Sequence, residues 1–97
     1  MTPPDELLSF VVLPERSEVR IHFNQAGLAL LAECVKRAQD LLATGRTDHL
    51  HFFSTSWDPH GELTEGMHET ERAAGATQVH QLNMYFWPSA TVGGGTP

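Results

Sequence analysis

"EVRIHFNQAGLALLAECVKRAQDLLATG", residues 18–45, changes its period midway, and that change decides the fold. From Glu18 to Phe23 the residues alternate: Val19, Ile21 and Phe23 lie on one face of a strand, and Glu18, Arg20 and His22 on the other. Asn24 then stands where a helix needs a cap for its free N–H groups. Beyond it Leu28, Leu31, Val35, Ala38 and Leu42 recur at helical spacing, while Glu33, Lys36, Arg37 and Asp40 fall largely elsewhere. Gly45 supplies the left-handed residue that commonly ends a helix. A helix of roughly 20 residues is about 30 Å long, enough to lie across a small sheet. Cys34, mid-helix among apolar neighbours, reads as a small core residue.

Working outward, Leu7 to Leu13 is a short apolar run, joined to the alternating strand by the turn-forming Pro14-Glu15-Arg16-Ser17. The pair is expected to be an antiparallel hairpin. After the helix, Asp48 to Ser54 reads as a third strand and Val79 to Trp87 as a fourth, ended by Pro88. The order is β-β-α-β-β, which predicts an α+β fold: an antiparallel four-stranded sheet with one long helix packed on one face. The domain spans residues 7–88, between a loose N-terminus, 1–6, and a flexible C-terminal tail, 89–97, that ends in GGGTP. The link 55–78 is polar, long enough to be functional or mobile, and contains HETERAAGA (68–76), which reads as a short helical turn.

One helix covers one face of a sheet. In the fourth strand His80, Leu82, Met84 and Phe86 form the more apolar side, and Val79, Gln81, Asn83, Tyr85 and Trp87 the other. The side with Tyr85 and Trp87 is therefore expected to meet solvent, a partner or a second copy.

Ninety-seven residues, 40% hydrophobic, support one modest core and one domain. No apolar run reaches the roughly 18 residues of a membrane span. The start, MTPPDELLSF, has acids where a secretory signal is basic, so the expected location is the cytoplasm. A single cysteine excludes an internal disulfide and a multi-thiolate zinc site. Six basic against twelve acidic residues give a formal charge of −6, and the basic residues are scattered, which argues against nucleic acid as a partner. The acidity suits solubility and, more specifically, attraction to a basic protein.

Two stretches carry chemistry. On a strand, His49 and His51 share a face with Phe53, while Leu50 and Phe52 point the other way. Two imidazoles on one face favour a metal, but a zinc site needs at least three protein ligands, and His60, His68, His80, Asp58 and Glu62 have no fixed spacing to the pair. His49, His51 and His60 are the minority metal set. The second stretch, STSWDPHGELTE (54–65), joins an anchor-type aromatic, Trp57, to the carboxylates Asp58, Glu62 and Glu65. Trp57 fits two descriptions, a plug at the end of the core or an exposed anchor ringed by acids. Catalysis finds no support: there is no G-x-S-x-G elbow, Glu62 and Glu65 read as solvated acids, and Gly93 to Gly95 open no helix.

The stretches DHLHFFSTSWDPHGELTE (48–65) and VHQLNMYFW (79–87) resemble the immunity protein 32 family, small bacterial proteins inferred to neutralise polymorphic toxins. The resemblance spans Ile21 to Trp87, and its most specific positions are Asp48, His49, His51, Trp57, Glu62 and Leu63. Where the family has a glycine-rich step after the tryptophan, this chain has Asp58-Pro59-His60-Gly61. The resemblance implies an α+β fold and toxin binding, and it brings no catalytic residue. The combined expectation is a non-enzymatic cytoplasmic immunity protein without a cofactor. It would grip a basic toxin domain through Trp57, Tyr85 and Trp87 beside Asp58, Glu62 and Glu65. The alternatives are a small histidine-based metal-binding protein and a homodimeric structural or regulatory module that pairs exposed sheet edges or faces.

Overall fold

The computed structural model describes residues 6–87. The expected disorder of 1–5 and 89–97, and the stop at Pro88, lie outside the described residues. Strand β1 (Leu8–Leu13) and strand β2 (Glu18–Phe23) form the expected antiparallel hairpin, closed by a 3-10 turn at Pro14–Arg16 with Ser17 left-handed at φ 52°. Helix α1 (Gln25–Leu42) follows directly, then β3 (Asp48–Phe53), a short α2 (Glu69–Ala73), β4 (Thr77–Gln78) and β5 (Gln81–Phe86).

The sheet differs from the expected four strands. Among the described residues there are two sheets, one ordered β2-β1-β4 and the other β3-β5, all strand pairs antiparallel. The expected fourth strand is cut at Val79–His80, and its side chains explain the cut. Val79 and Leu82 both pack against the core although three residues apart put them in opposite alternation classes. The chain must turn over between them, which ends one ladder and begins the next. Val79 N–H still donates to the Phe10 carbonyl at 2.9 Å, and the His80 carbonyl accepts from Ser54 N–H at 2.8 Å, so the second sheet continues from the first at an angle.

The helix start is set by Asn24 and Gly27. The Asn24 carboxamide oxygen accepts from Gly27 N–H at 2.8 Å, which is the expected cap, and from Leu7 N–H at 3.0 Å, while Asn24 N–H donates to the Leu7 carbonyl. Gly27 is buried so closely against Leu7 that a Cβ would run into that carbonyl. At the far end the cap residue is Ala43 in right-handed geometry, and Gly45 is left-handed at φ 77°.

Leu8, Phe10, Cys34, Phe52 and Leu63 form the buried cluster, with Leu30, Leu31, Leu50, Val79, Leu82 and Met84 packed around it. Burial raises the Cys34 thiol pKa, so the thiol stays protonated and inert. Only part of the expected apolar stripe of the helix is covered: Gly27, Cys34 and Ala38 are buried, whereas Leu28 and Val35 are exposed. Val19, Ile21 and Phe23 are exposed as well. They face the helix side, since they pair with Val12, Phe10 and Leu8, but the core that the helix covers takes in Leu8 and Phe10 of β1 and no side chain of β2.

The link between β3 and β4 is tied down rather than loose. Leu63 enters the core, Ser54 and Leu63 form a parallel bridge, and Thr64 N–H donates to the Leu8 carbonyl while its hydroxyl accepts from Leu8 N–H. Further on, Ser9 Oγ donates to the Gly66 carbonyl at 2.7 Å. The stretch from 63 to 66 therefore completes the side of β1 that the two-residue β4 is too short to cover. No helix among the described residues is long and apolar enough to cross a membrane.

Replacing a helical glycine by alanine usually stabilises by about 1 kcal/mol. At Gly27 the steric conflict with Leu7 reverses the sign. We expect Gly27→Ala to lose about 1–3 kcal/mol in urea unfolding, and a stabilised variant would show that the helix does not sit against Leu7.

Candidate functional site

Alternation in β3 and its register with β5 build one continuous outer face. His49 pairs with Tyr85, His51 with Asn83 and Phe53 with Gln81, so all six side chains project from the same side. Leu50, Phe52, Leu82 and Met84 point inward, as the sequence pattern requires. The outer face is ordered by its own contacts. Asn83 Oδ1 lies 2.7 Å from His51 Nδ1, and the Nε2 atoms of His49 and His51 are 2.8 Å apart, so one ring donates and the other accepts. The His49 ring stacks on Tyr85 at 4.7 Å between centroids and stands edge-on to His51 at 4.4 Å. Tyr85 remains 57% exposed.

Three of the four ring nitrogens of the pair are thus engaged within the face, and His49 Nδ1 lies 3.9 Å from Asp48 Oδ1. Among the described residues no group of three or more His, Cys, Asp or Glu is placed to hold a metal ion. His60 does not complete such a group with the pair. Its backbone N–H donates to Asp58 Oδ1 within the loop turn.

Trp57 sits at the end of the second sheet, on a tight turn. The Ser54 carbonyl accepts from both Trp57 and Asp58 N–H, and the Asp58 carbonyl accepts from Gly61 N–H at 2.8 Å. A side chain at residue 61 would collide with the Phe53 carbonyl, so only glycine closes this turn. The indole is 60% exposed and lies flat on the His80 ring, with centroids 5.2 Å apart and planes 7° from parallel. His80 is itself held by a 2.8 Å contact between its Nδ1 and Ser54 Oγ. Of the two descriptions of Trp57, the exposed one holds: one ring face rests on a fixed imidazole. Among the described residues no ring contact joins Trp57 to Tyr85: Trp57 stacks on His80 and Tyr85 on His49.

The expected acids differ in setting. Glu65 is exposed and accepts from Ser56 Oγ, which steadies the loop, while Asp58 and Glu62 are half-buried. Trp87 is half-buried just beyond β5. Asp48, half-buried at the start of β3, pairs with Arg46 at 3.2 Å.

A second cluster, which the sequence pattern did not reveal, lies on the opposite face of the first sheet from α1. Glu71 of α2 is 1% exposed. Its carboxylate accepts from His68 N–H at 2.8 Å, from Arg20 Nη1 at 3.2 Å, and from His22 Nε2 at 2.9 Å. The His68 backbone donor, together with His22 and Arg20, holds the Glu71 pKa below its ordinary value despite the opposing effect of burial. Arg20 also grips Glu18 at 2.7 Å, which lowers the Glu18 pKa and raises that of Arg20. A cavity of about 130 Å³ beside the cluster is lined by Leu7, His22, Gly66, Met67 and His68. With both carboxylate oxygens engaged, Glu71 fastens α2 to β2. That part of the first sheet, expected to be free, is covered. Glu18, Arg20 and His22 were legible as a polar strand face, but nothing in the pattern marked Glu71 as their partner 49 residues beyond His22.

No family model, curated protein or solved structure matches the chain.

The folded pKa of Glu71 lies below the ordinary 4.5, so on acidification the unfolded chain takes up the proton first. The stabilisation is present in full above that range and is lost as pH falls through the depressed folded value. We expect wild-type stability to fall steeply below about pH 4.5. Glu71→Gln should be less stable at neutral pH and show a flatter acid limb in urea unfolding. An unchanged acid limb would contradict the assigned role.

Proposed function

We propose that this chain is a non-enzymatic immunity protein that binds a toxin domain in the cytoplasm and occludes its working surface. The observation that supports this reading most strongly is the outer face of β3 and β5, with Trp57 at its end. Tyr85 and Trp57 are each more than half exposed yet rest on imidazoles that are themselves held in place. Rings fixed before binding lose little conformational freedom on contact, and tyrosine and tryptophan are the side chains most often found as interface anchors. Of the resemblance's specific positions, His49 and His51 lie on this face and Trp57 and Glu62 in the adjoining 54–65 loop, while Asp48 alternates to the opposite side and Leu63 is core.

Charge adds selectivity. Glu62, Glu65 and Asp58 neighbour Trp57 in sequence, and the whole chain carries −6. A basic partner is attracted over a distance of about 10 Å at moderate salt, and an acidic one is repelled. Trp87 is half-buried and contributes less area than Trp57 or Tyr85. A standard interface buries roughly 800 Å² per partner, which this face with the 54–65 turn can supply.

The test is co-expression with the neighbouring open reading frame, followed by pull-down and a growth assay. The chain should suppress the toxicity of that product and bind it directly. Trp57→Ala and Tyr85→Ala, both at exposed positions, should keep the wild-type melting temperature and weaken binding tenfold or more, about 1.4 kcal/mol each. Folded variants that protect as well as wild type, or a neighbour whose toxicity is unaffected, would refute the reading.

A further inference from the structure

A different surface, on the other sheet, carries an inference beyond toxin binding. Val19, Ile21 and Phe23 of β2 and Leu28 and Val35 of α1 are all 44% to 61% exposed. The register Leu8↔Phe23, Phe10↔Ile21 and Val12↔Val19 puts the three β2 side chains on the side of the sheet where α1 packs, and α1 itself leaves Leu28 and Val35 exposed. At roughly 100° per residue, Leu28, Ala32, Val35 and Gln39 form one strip along α1, with no charge in it. Together the five residues expose on the order of 400 Å² of apolar surface.

Among the described residues β2 is also an edge strand, and the polar groups it turns outward can be identified. The Phe10 carbonyl accepts from Val79 N–H, so the backbone of Phe10 is turned toward β4. In an antiparallel ladder the opposed residue is then turned away as well, and Ile21, with Val19 and Phe23, directs its N–H and C=O out of the free edge. Natural edges are blunted by exposed charges, prolines or bulges. Here the charged residues of β2 face the other way, and Arg20 and His22 are engaged by Glu71.

We propose that this edge and these exposed apolar side chains are covered by a second copy of the chain, with β2 pairing antiparallel to β2 of the other copy about a twofold axis through Ile21. The strand fits itself in this register. Ile21 opposes Ile21 of the second copy, and Val19 opposes its Phe23, so every pair on the helix side is apolar. On the reverse side Arg20 opposes His22 of the second copy, and both side chains stay bound to the Glu71 of their own chain. Shifting the axis to Arg20 would set two arginines against each other and is disfavoured. A chain of charge −6 repels its own copy over most of its surface, and this uncharged strip is where that repulsion is weakest. The exposed apolar area is about half of the roughly 800 Å² per partner in a standard interface, and the strand backbone with the neighbouring Gln25, Ala32 and Gln39 extends it. The surface lies apart from His49, His51, Trp57 and Tyr85, so toxin binding and self-association stand or fall separately.

Sedimentation equilibrium of the full chain at tens of micromolar should give twice the 10.7 kDa chain mass. Ile21→Lys, at an exposed position, should raise the dimer dissociation constant at least tenfold with an unchanged melting temperature. Ile21→Cys should cross-link under mild oxidation, because the paired Cα atoms are about 5.5 Å apart, within disulfide reach. Val19→Cys should not, since the two copies of residue 19 are offset by roughly 13 Å along the strands. Wild-type chain with only the buried Cys34 serves as the control. A monomeric wild type, a dimer that persists in Ile21→Lys, or equal cross-linking at residues 19 and 21 would overturn the proposal.

Discussion

Asn24 and Gly27 clamp the first turn of α1 onto Leu7, and the position of every other layer follows from that contact. The Asn24 carboxamide accepts from the N–H of Leu7 and of Gly27 at once, and Gly27 brings the helix backbone against the Leu7 carbonyl because it has no side chain to hold it off. The helix is thereby committed to lie over β1, where Cys34 meets Leu8 and Phe10. One helix in that position packs with Phe52 of β3 in the core and leaves Val19, Ile21 and Phe23 of the outer strand β2 exposed. The core is accordingly small and central, and apolar side chains at its rim stay wet.

The rest of the molecule compensates for that narrow coverage in two ways. On the far side of the first sheet a buried carboxylate joins the buried Val11 and Leu13: Glu71 draws α2 onto Arg20 and His22. A buried charge is favourable only when its hydrogen bonds are complete, and here His68 N–H supplies the remaining donor. On the near side, Leu63 and Thr64 fill the gap left by the short β4, which makes a polar link part of the core. What remains open is the outer face of β3 and β5, where imidazoles and aromatics are held in order by contacts with one another rather than by burial.

Much of this was legible in the residues. The period change at Asn24 located the helix and its cap, the alternation in 48–53 separated Leu50 and Phe52 from His49 and His51, and the 68–76 stretch announced a short helix. Three features were not legible, each for a physical reason. Alternation tells which residues share a face but not how far a helix reaches across it, so the exposure of Val19, Ile21 and Phe23 could not be read. The break at Val79–His80 lies inside a run whose pattern is uninterrupted, and only the packing of both Val79 and Leu82 on the core discloses it. Glu71 meets Arg20 and His22 through a contact across the fold, and a helical Glu-Thr-Glu-Arg looks the same whether solvated or buried. At the candidate site, the sequence left Trp57 open between plug and anchor; the turn closed by Gly61 and the His80 ring beneath the indole make it an exposed residue.

The central claim is that the open face of the second sheet, rather than the covered core or the first sheet, is where a protein partner is held. Hydrogen–deuterium exchange of the chain alone and with the product of the neighbouring reading frame tests this most directly, since it reads both sheets in one experiment. The account predicts that the partner slows exchange in peptides covering 48–58 and 81–87 and leaves 18–42 unchanged. Slowing confined to 18–42, with 48–58 and 81–87 as in the free chain, would contradict it.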